Sequence, residues 1–229
     1  MGLGSSFGIS AETGNNIQTD GLIFYLDAAY KKSYPGSGTT WSDLSSSGNH
    51  GTLTNDPTFN TNGYFDFDGS NDSVIMGTNP FLGGAKSTVE FVLSFDALTN
   101  AFTEQYWCEF GSASTNAIRL YFIRNNNICV GYYQNDKVFS FAPSQDTIYH
   151  IVITEDGTGG VELFVDGTSR DTGNLSTPNT TGNTFRIGTF NSTNGDFDGK
   201  IYLVRLYNRP LPASEVLQNY NALKERFGF

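Results

Sequence analysis

Short runs of alternating apolar and polar residues recur along the chain, each closed by a turn signal. "LIFYLDA" (22–28) sets Leu22, Phe24 and Leu26 on one side, the two-residue period of a half-buried strand. "YFDF" and "SVIMG" flank an acidic stretch. "STVEFVLSFDA" (87–97), "FTEQYWCEFG" (102–111), "AIRLYFIR" (117–124) and "NICVGYY" (127–133) follow. "KVFSFA", "IYHIVITED", "VELFVDG", "TFRIGTF" and "GKIYLVRLYNR" complete the series. The joints are turn signals: Asp-Gly at 156–157 and 166–167, an Asn triplet at 125–127, Asn-Gly at 194–195. Roughly a dozen strands at such spacing predict a sandwich or barrel.

The period changes only at the end. In "PLPASEVLQNYNALKERFGF", Val216, Leu217, Tyr220, Leu223 and Phe227 fall on one helical face. Pro212 at the first helical position, or Ser214 as a cap, would open a helix of about three turns. It is expected to close one end of the sandwich. The sharper alternative is that "NALKERFGF" docks on another subunit.

Composition narrows the partners. Net charge is −10 with 13 basic residues and no Lys/Arg cluster, which argues against nucleic acid. No apolar run approaches the ~18 residues of a membrane span. The opening "MGLGSSFGISAETGNNIQTD" has neither the basic start nor the apolar stretch of a secretory signal. Gly2 and Ser6 formally fit a myristoylation pattern, but a Gly/Ser-rich arm able to order against a neighbour is the expectation. Cys108 and Cys129 belong to strands with one strand between them, a gap of roughly 10 Å that a disulfide does not span. Both are read as free thiols, suited to a reducing compartment.

The acidic stretch "GYFDFDGSNDS" (63–73) raises the question of a metal. A calcium loop begun at Asp66 needs Gly at its sixth position and Glu at its twelfth. Asn71 and Gly77 stand there, so the template fails. Asp66 and Asp68 alternate with Phe65 and Phe67, so the aspartates face away from the core. "DGSND" is expected to turn, with Gly69 at positive φ and Asn71 or Asp72 bonding the backbone. A calcium site assembled from distant segments would draw on Asp27, Asp43, Asp68 or Asp72.

"GLIFYLDA", "WSDLSSSGNHGTLTNDPTF", "FDFDGSNDSV", "YHIVITEDGTGGVELFVDGT", "FRIGTF" and "FDGKIYLVRLYNRPLPASEV" together resemble laminin-G-like domains of the concanavalin A-like lectin/glucanase superfamily. The resemblance runs in register from about residue 20 to 218. It implies an all-β, two-sheet antiparallel jelly-roll sandwich with a short C-terminal helix. Residues 1–19 would form the arm, 20–218 the domain and 219–229 a C-terminal extension. Related domains often carry an aspartate in the last strand, some using it for structural calcium; Tyr202 stands there in this chain. The tail "LQNYNALKERFGF" and the segment 21–53 are similar to virion proteins of tailed bacteriophages, either capsid decoration or tail and fibre proteins. That implies a non-enzymatic virion structural protein, a capsid decoration protein that binds and stabilises the outer shell, assembled in the host cytoplasm. It would contact the major capsid protein or other virion proteins as an oligomer such as a trimer. The alternative is a glycan-binding tail protein or adhesin.

No catalytic, cofactor-binding or metal residue is assigned. Retaining glycosidases need two carboxyl groups about 5–5.5 Å apart. Glu104 and Glu109 are an odd number apart, which places them on opposite faces of a regular strand. Glu155 and Asp156 are neighbours entering a turn. His50 lies in a Gly/Asn-rich loop and His150 within a strand, without a nucleophile-elbow motif or a zinc pattern. For a glycan, aromatic platforms on loops are the requirement. Trp41 is expected to pack, whereas Trp107, Tyr132 and Tyr133 are candidates to face solvent. Four sequons, at Asn71, Asn174, Asn179 and Asn191, are chance products of Asn/Ser/Thr-rich loops.

Overall fold

The computed structural model describes residues 16–98, 104–111, 118–132, 135–190 and 195–229. In chain order the strands are β1 (Leu22–Asp27), β2 (Thr40–Trp41), β3 (Gly51–Thr54), β4 (Thr58–Asn60), β5 (Tyr64–Asp68), β6 (Ser73–Met76), β7 (Ser87–Phe95) and β8 (Glu104–Gly111). There follow β9 (Ile118–Arg124), β10 (Asn127–Gly131), β11 (Asp136–Val138), β12 (Tyr149–Glu155), β13 (Gly160–Val165), β14 (Thr168–Asn174), β15 (Phe185–Ile187) and β16 (Asp198–Tyr207). A helix, α1 (Ala213–Phe227), comes last. Short strands such as β2, β3 and β4 are too brief to show a period of their own, which is why the pattern underestimates their number.

The strands form two antiparallel sheets. The first runs β14-β13-β12-β7-β16-β5-β4, with β1 paired to the second half of β16. The other runs β11-β10-β9-β8-β15-β6-β3-β2. Val89, Phe91, Leu93 and Phe95 of β7 point between the sheets and are buried with Trp107, Phe110, Tyr121 and Phe185. Each such side chain contributes roughly 1.5–3 kcal/mol by leaving water. Cys108 and Cys129 are free and buried, on β8 and β10 with β9 between them. Asn125 and Asn126 adopt left-handed φ of 50° and 61° in the β9–β10 turn, as a two-residue hairpin requires.

Two local readings change. Strand β8 carries a bulge between Tyr106 and Cys108, so Trp107 joins Cys108 and Phe110 in the core. The parity of the strand shifts there, and Glu104 and Glu109 end on the same outer face. The helix, at 15 residues, is longer than expected, and Pro212 occupies its N-cap with no side-chain cap from Ser214. It lies across the outer face of the first sheet, not at an end. Val216 packs with Val152, Phe164 and Tyr207, and Leu223 with Val92, Tyr202 and Leu203. Leu217 faces out, and Asn219, polar and unremarked by the pattern, is fully buried. Residue 219 therefore lies inside the helix, and Phe227 and Phe229 pack on their own chain. Gly167, at φ 73°, lets the β13–β14 turn approach the helix, since a Cβ there would sit 3.0 Å from the Tyr220 ring.

Candidate functional site

Cross-strand register builds the charged clusters of the sandwich. On the outer face of the first sheet, Tyr25, Arg205, Glu90 and Val152 are successive partners across β1, β16, β7 and β12. The Glu90 carboxylate accepts from Arg205 Nη1 at 3.0 Å and contacts His150 Nε2 at 2.8 Å. Asn219 of α1 donates to the same carboxylate at 2.9 Å and accepts the backbone N–H of Gln18 at 2.7 Å. Burial pushes the Glu90 carboxyl up, but Arg205, His150 and Tyr207 outweigh it and hold the group below its usual range. Glu90, His150, Arg205 and Asn219 are all buried from solvent.

A second buried pair joins the sheets from within. Arg119 of β9 meets Glu155 of β12 at 3.1 Å. Its other donors reach Thr180 Oγ1, Ser87 Oγ and the Ala85 carbonyl at 3.0, 3.0 and 2.7 Å. Tyr132 donates to Glu155 at 2.7 Å, and Tyr121 donates to it as well. Tyr132 and Trp107 are thus buried, which removes them as solvent-facing platforms; Tyr133 lies outside the described residues. Trp41 is buried against Phe65, ring centroids 4.6 Å apart.

Neither carboxylate pair has glycosidase geometry. Glu104 and Glu109 share a face but stand opposite Arg124 and Leu120. Four residues along β9 separate them by roughly 13 Å. Each is also engaged, Glu104 by Arg124 and Glu109 by Arg186. Glu155 points into the core, while Asp156 binds the Thr158 and Gly160 N–H groups of its own turn.

The proposed calcium residues are occupied by protein donors. Arg226 clamps Asp27 with two bonds of 2.6 Å. Asp43 accepts from the Tyr25, Ser45 and Asn49 backbone and from Ser45 Oγ. His50 Nδ1 accepts the Asp43 N–H. Asp68 accepts from Ser70 N–H, and Asp72 accepts from Asp68 N–H. The turn bond two residues on is thus made by Asp68, with Gly69 at φ 73°. Tyr202 packs its ring on Tyr64 and Phe227. Among the described residues, no group of three His, Cys, Asp or Glu is placed to hold a metal ion.

One cleft combines an accessible aromatic ring with polar loop groups. It has a volume of about 440 Å³ and lies where the 34–39 loop meets the β3–β4 connection. Tyr34, Thr39, Asn55, Asp56, Thr58 and Phe59 line it. Phe59 is half-buried and leans on Tyr34 and Phe65, with centroids 4.8 and 5.5 Å away. Trp41 backs Phe65, so the wall is a fixed stack of four rings. Tyr34 OH donates to the Gly38 carbonyl at 2.9 Å. Asn55 and Asp56 are consecutive left-handed residues, φ 61° and 77°; such conformations are tolerated best by Asn and Asp and concentrate at ligand sites. Asn55 donates to the Asn71 carbonyl, tying the connection to the β5–β6 turn. Sequence reasoning did not find this cleft, although "TNDP" (54–57) held a signal in its two turn residues before Pro57.

Burial, then the charges of Asp68, Asp56 and Asp66, push Asp72 up to about 6 against the lowering Asp68 N–H bond. Burial and Asp56 likewise raise the Tyr34 phenol. The edge around the cleft is therefore acidic.

A family model described as the concanavalin A-like lectin/glucanases superfamily matches residues 68–217. No curated protein sequence matches the chain. Among solved structures, the botulinum neurotoxin serotype D binding domain aligns with a TM-score of 0.67 at 18% identity, over 89% of this chain and 52% of that one. The receptor binding domain of the botulinum neurotoxin C/D mosaic serotype gives 0.68 and 18%, over 88% and 51%. Trypanosoma rangeli sialidase in complex with sialic acid gives 0.68 and 16%, over 93% and 35%. The chain thus spans about half the length of the toxin domains and about a third of the sialidase. At these identities the likeness is one of fold.

Proposed function

We propose, for a chain that belongs to the concanavalin A-like lectin/glucanases superfamily, a non-catalytic module that binds a surface glycan in the Tyr34–Phe59 cleft. The cleft carries this reading. A sugar presents an apolar ring face and a rim of hydroxyls, and is held by an aromatic wall beside a few fixed polar groups. Phe59 offers the wall, and Thr39, Asn55, Asp56 and Thr58 offer the polar groups. The carboxylates considered for hydrolysis are far apart or committed to arginines and turns, which favours binding without turnover. The descriptions of the similar structures, a receptor-binding domain and a sialidase holding sialic acid, support the same direction.

We place the module on the outside of a tailed-phage virion, on the resemblance of its opening and closing segments. A glycan array on the purified protein tests the binding. Saturable binding to one sugar class, lost in Phe59→Leu, is expected; its absence ends the reading. Electron microscopy of labelled purified particles tests the setting, with label expected on the particle exterior.

The second reading is a capsid decoration protein that bridges shell subunits. It is favoured by the anchoring of the N-terminal segment on the helix: Asn16 and Gln18 are held by Gln218 and Asn219 of α1. Loss of particle attachment after deleting 1–15, with glycan binding absent, would select it.

A further inference from the structure

We infer that the cleft selects uncharged, hydroxyl-rich sugars and turns away carboxylated, sulfated or phosphorylated ones. The inference rests on the glycan reading above and names the ligand class of that same site. Among the described residues, no Lys, Arg or His lines the cleft, and its one carboxylate is the exposed Asp56. Among the described residues no hydrogen bond reaches that carboxylate, in contrast with Asp43, which accepts four. Asp56 thus keeps its acceptor capacity for a ligand, and a carboxylate accepts from hydroxyl donors. An anionic sugar brings acceptors where acceptors already stand, and like charge with no compensating cation opposes its entry.

The surroundings reinforce this sign. Asp72 and Tyr34 both feel the Asp56 charge. Lys200, the cation that acts on Asp66, is itself engaged with Asp96. Anionic carbohydrate sites work by the opposite arrangement, with Arg or Lys aimed at the acid group. The chain would therefore differ in ligand class from the sialidase that it resembles over about a third of that protein's length, since sialic acid is a carboxylated sugar.

The test compares neutral oligosaccharides (glucan, mannan and galactan fragments) with sialylated, uronic-acid and sulfated ones, on an array and by calorimetry at low ionic strength. Neutral sugars are expected to bind at least tenfold more tightly. Phe59→Leu, which keeps an apolar residue on the ring stack, should weaken binding by about tenfold or more. Asp56→Asn, which keeps a residue tolerant of left-handed φ, should weaken it by about tenfold. Asp56→Lys should shift the preference toward acidic sugars. Melting curves on each variant show that the domain is folded. Equal or tighter binding of acidic sugars by the unsubstituted protein overturns the ligand class while leaving the glycan reading intact. Binding indifferent to both positions places the site elsewhere and overturns the inference. Failure of every sugar to bind overturns the glycan reading itself, and this inference with it.

Discussion

The helix-covered face and the cleft edge treat their carboxylates in opposite ways. Under α1, Glu90 is paired with Arg205, His150 and Asn219, and Asp27 with Arg226. Charge is buried there, matched, and spent on holding helix, sheet and N-terminal segment together. At the edge formed by β3, β4 and the β5–β6 turn, burial raises Asp66 and Asp72; Asp68 adds to both, and Asp56 and Asp66 add to Asp72. Lys200 offsets part of this for Asp66, whereas the charges that act on Asp72 are those of other aspartates. The difference separates a region whose buried carboxylates are matched by cations from one where Asp72 is buried among aspartates and Asp56 stands exposed beside the cleft.

The largest way to break the contrast is Glu90→Gln. It leaves Arg205 buried without its carboxylate and should cost about 3–5 kcal/mol in denaturant unfolding. Asn219→Ala removes the amide that joins Glu90 to Gln18 and should cost about 1–3 kcal/mol. Asp72→Asn can still accept the Asp68 N–H, yet sheds a disfavoured charge. It should stabilise the protein by about 1–2 kcal/mol at pH 7. Asp56→Asn, at an exposed position, should change the unfolding free energy least, within about 0.5 kcal/mol.

The two regions should also titrate with opposite signs. For Asp72 the folded pKa, about 6, lies above the ordinary 3.8. Protonation therefore favours the folded chain, and that stability is fully present below pH 3.8 and lost as pH rises through 6. For Glu90 the folded value lies below the ordinary one. Its contribution is present above the unfolded pKa and lost as pH falls through the folded one. Unfolding free energies from pH 3 to 8 should show the advantage of Asp72→Asn vanish on acidification, while the Glu90→Gln penalty starts to shrink as pH falls below 4.5. An Asp72→Asn advantage unchanged at pH 3.5 would show that its charge is not the cause.

Much of the sandwich was readable residue by residue. The alternation of Phe65 with Asp66 and Phe67 with Asp68 placed the faces of β5 correctly, because a strand's side-chain period is fixed by its backbone. The Asn triplet at 125–127 and Asp-Gly at 166–167 marked hairpins because few residues accept left-handed φ. The bulge at Trp107 was not readable. Alternation assumes an unbroken ladder, and whether one residue slips out is decided by the partner strand β9. The candidate aromatics Trp107 and Tyr132 went astray for the same kind of reason: each has a polar atom, yet Tyr132 finds its partner in Glu155, far along the chain.

By itself, then, the sequence determined the β class, most strand positions, the turns and a terminal helix, all set by interactions within a few residues. Only the tertiary structure decided that Glu90, an outward position of β7, would be buried. The same holds for Asn219, which became the node of a network, and for the 34–39 loop and residues 53–59, which meet around a cleft. Each outcome depends on strand register and on one element covering another. Those contacts join residues distant in the chain, and no local pattern encodes them.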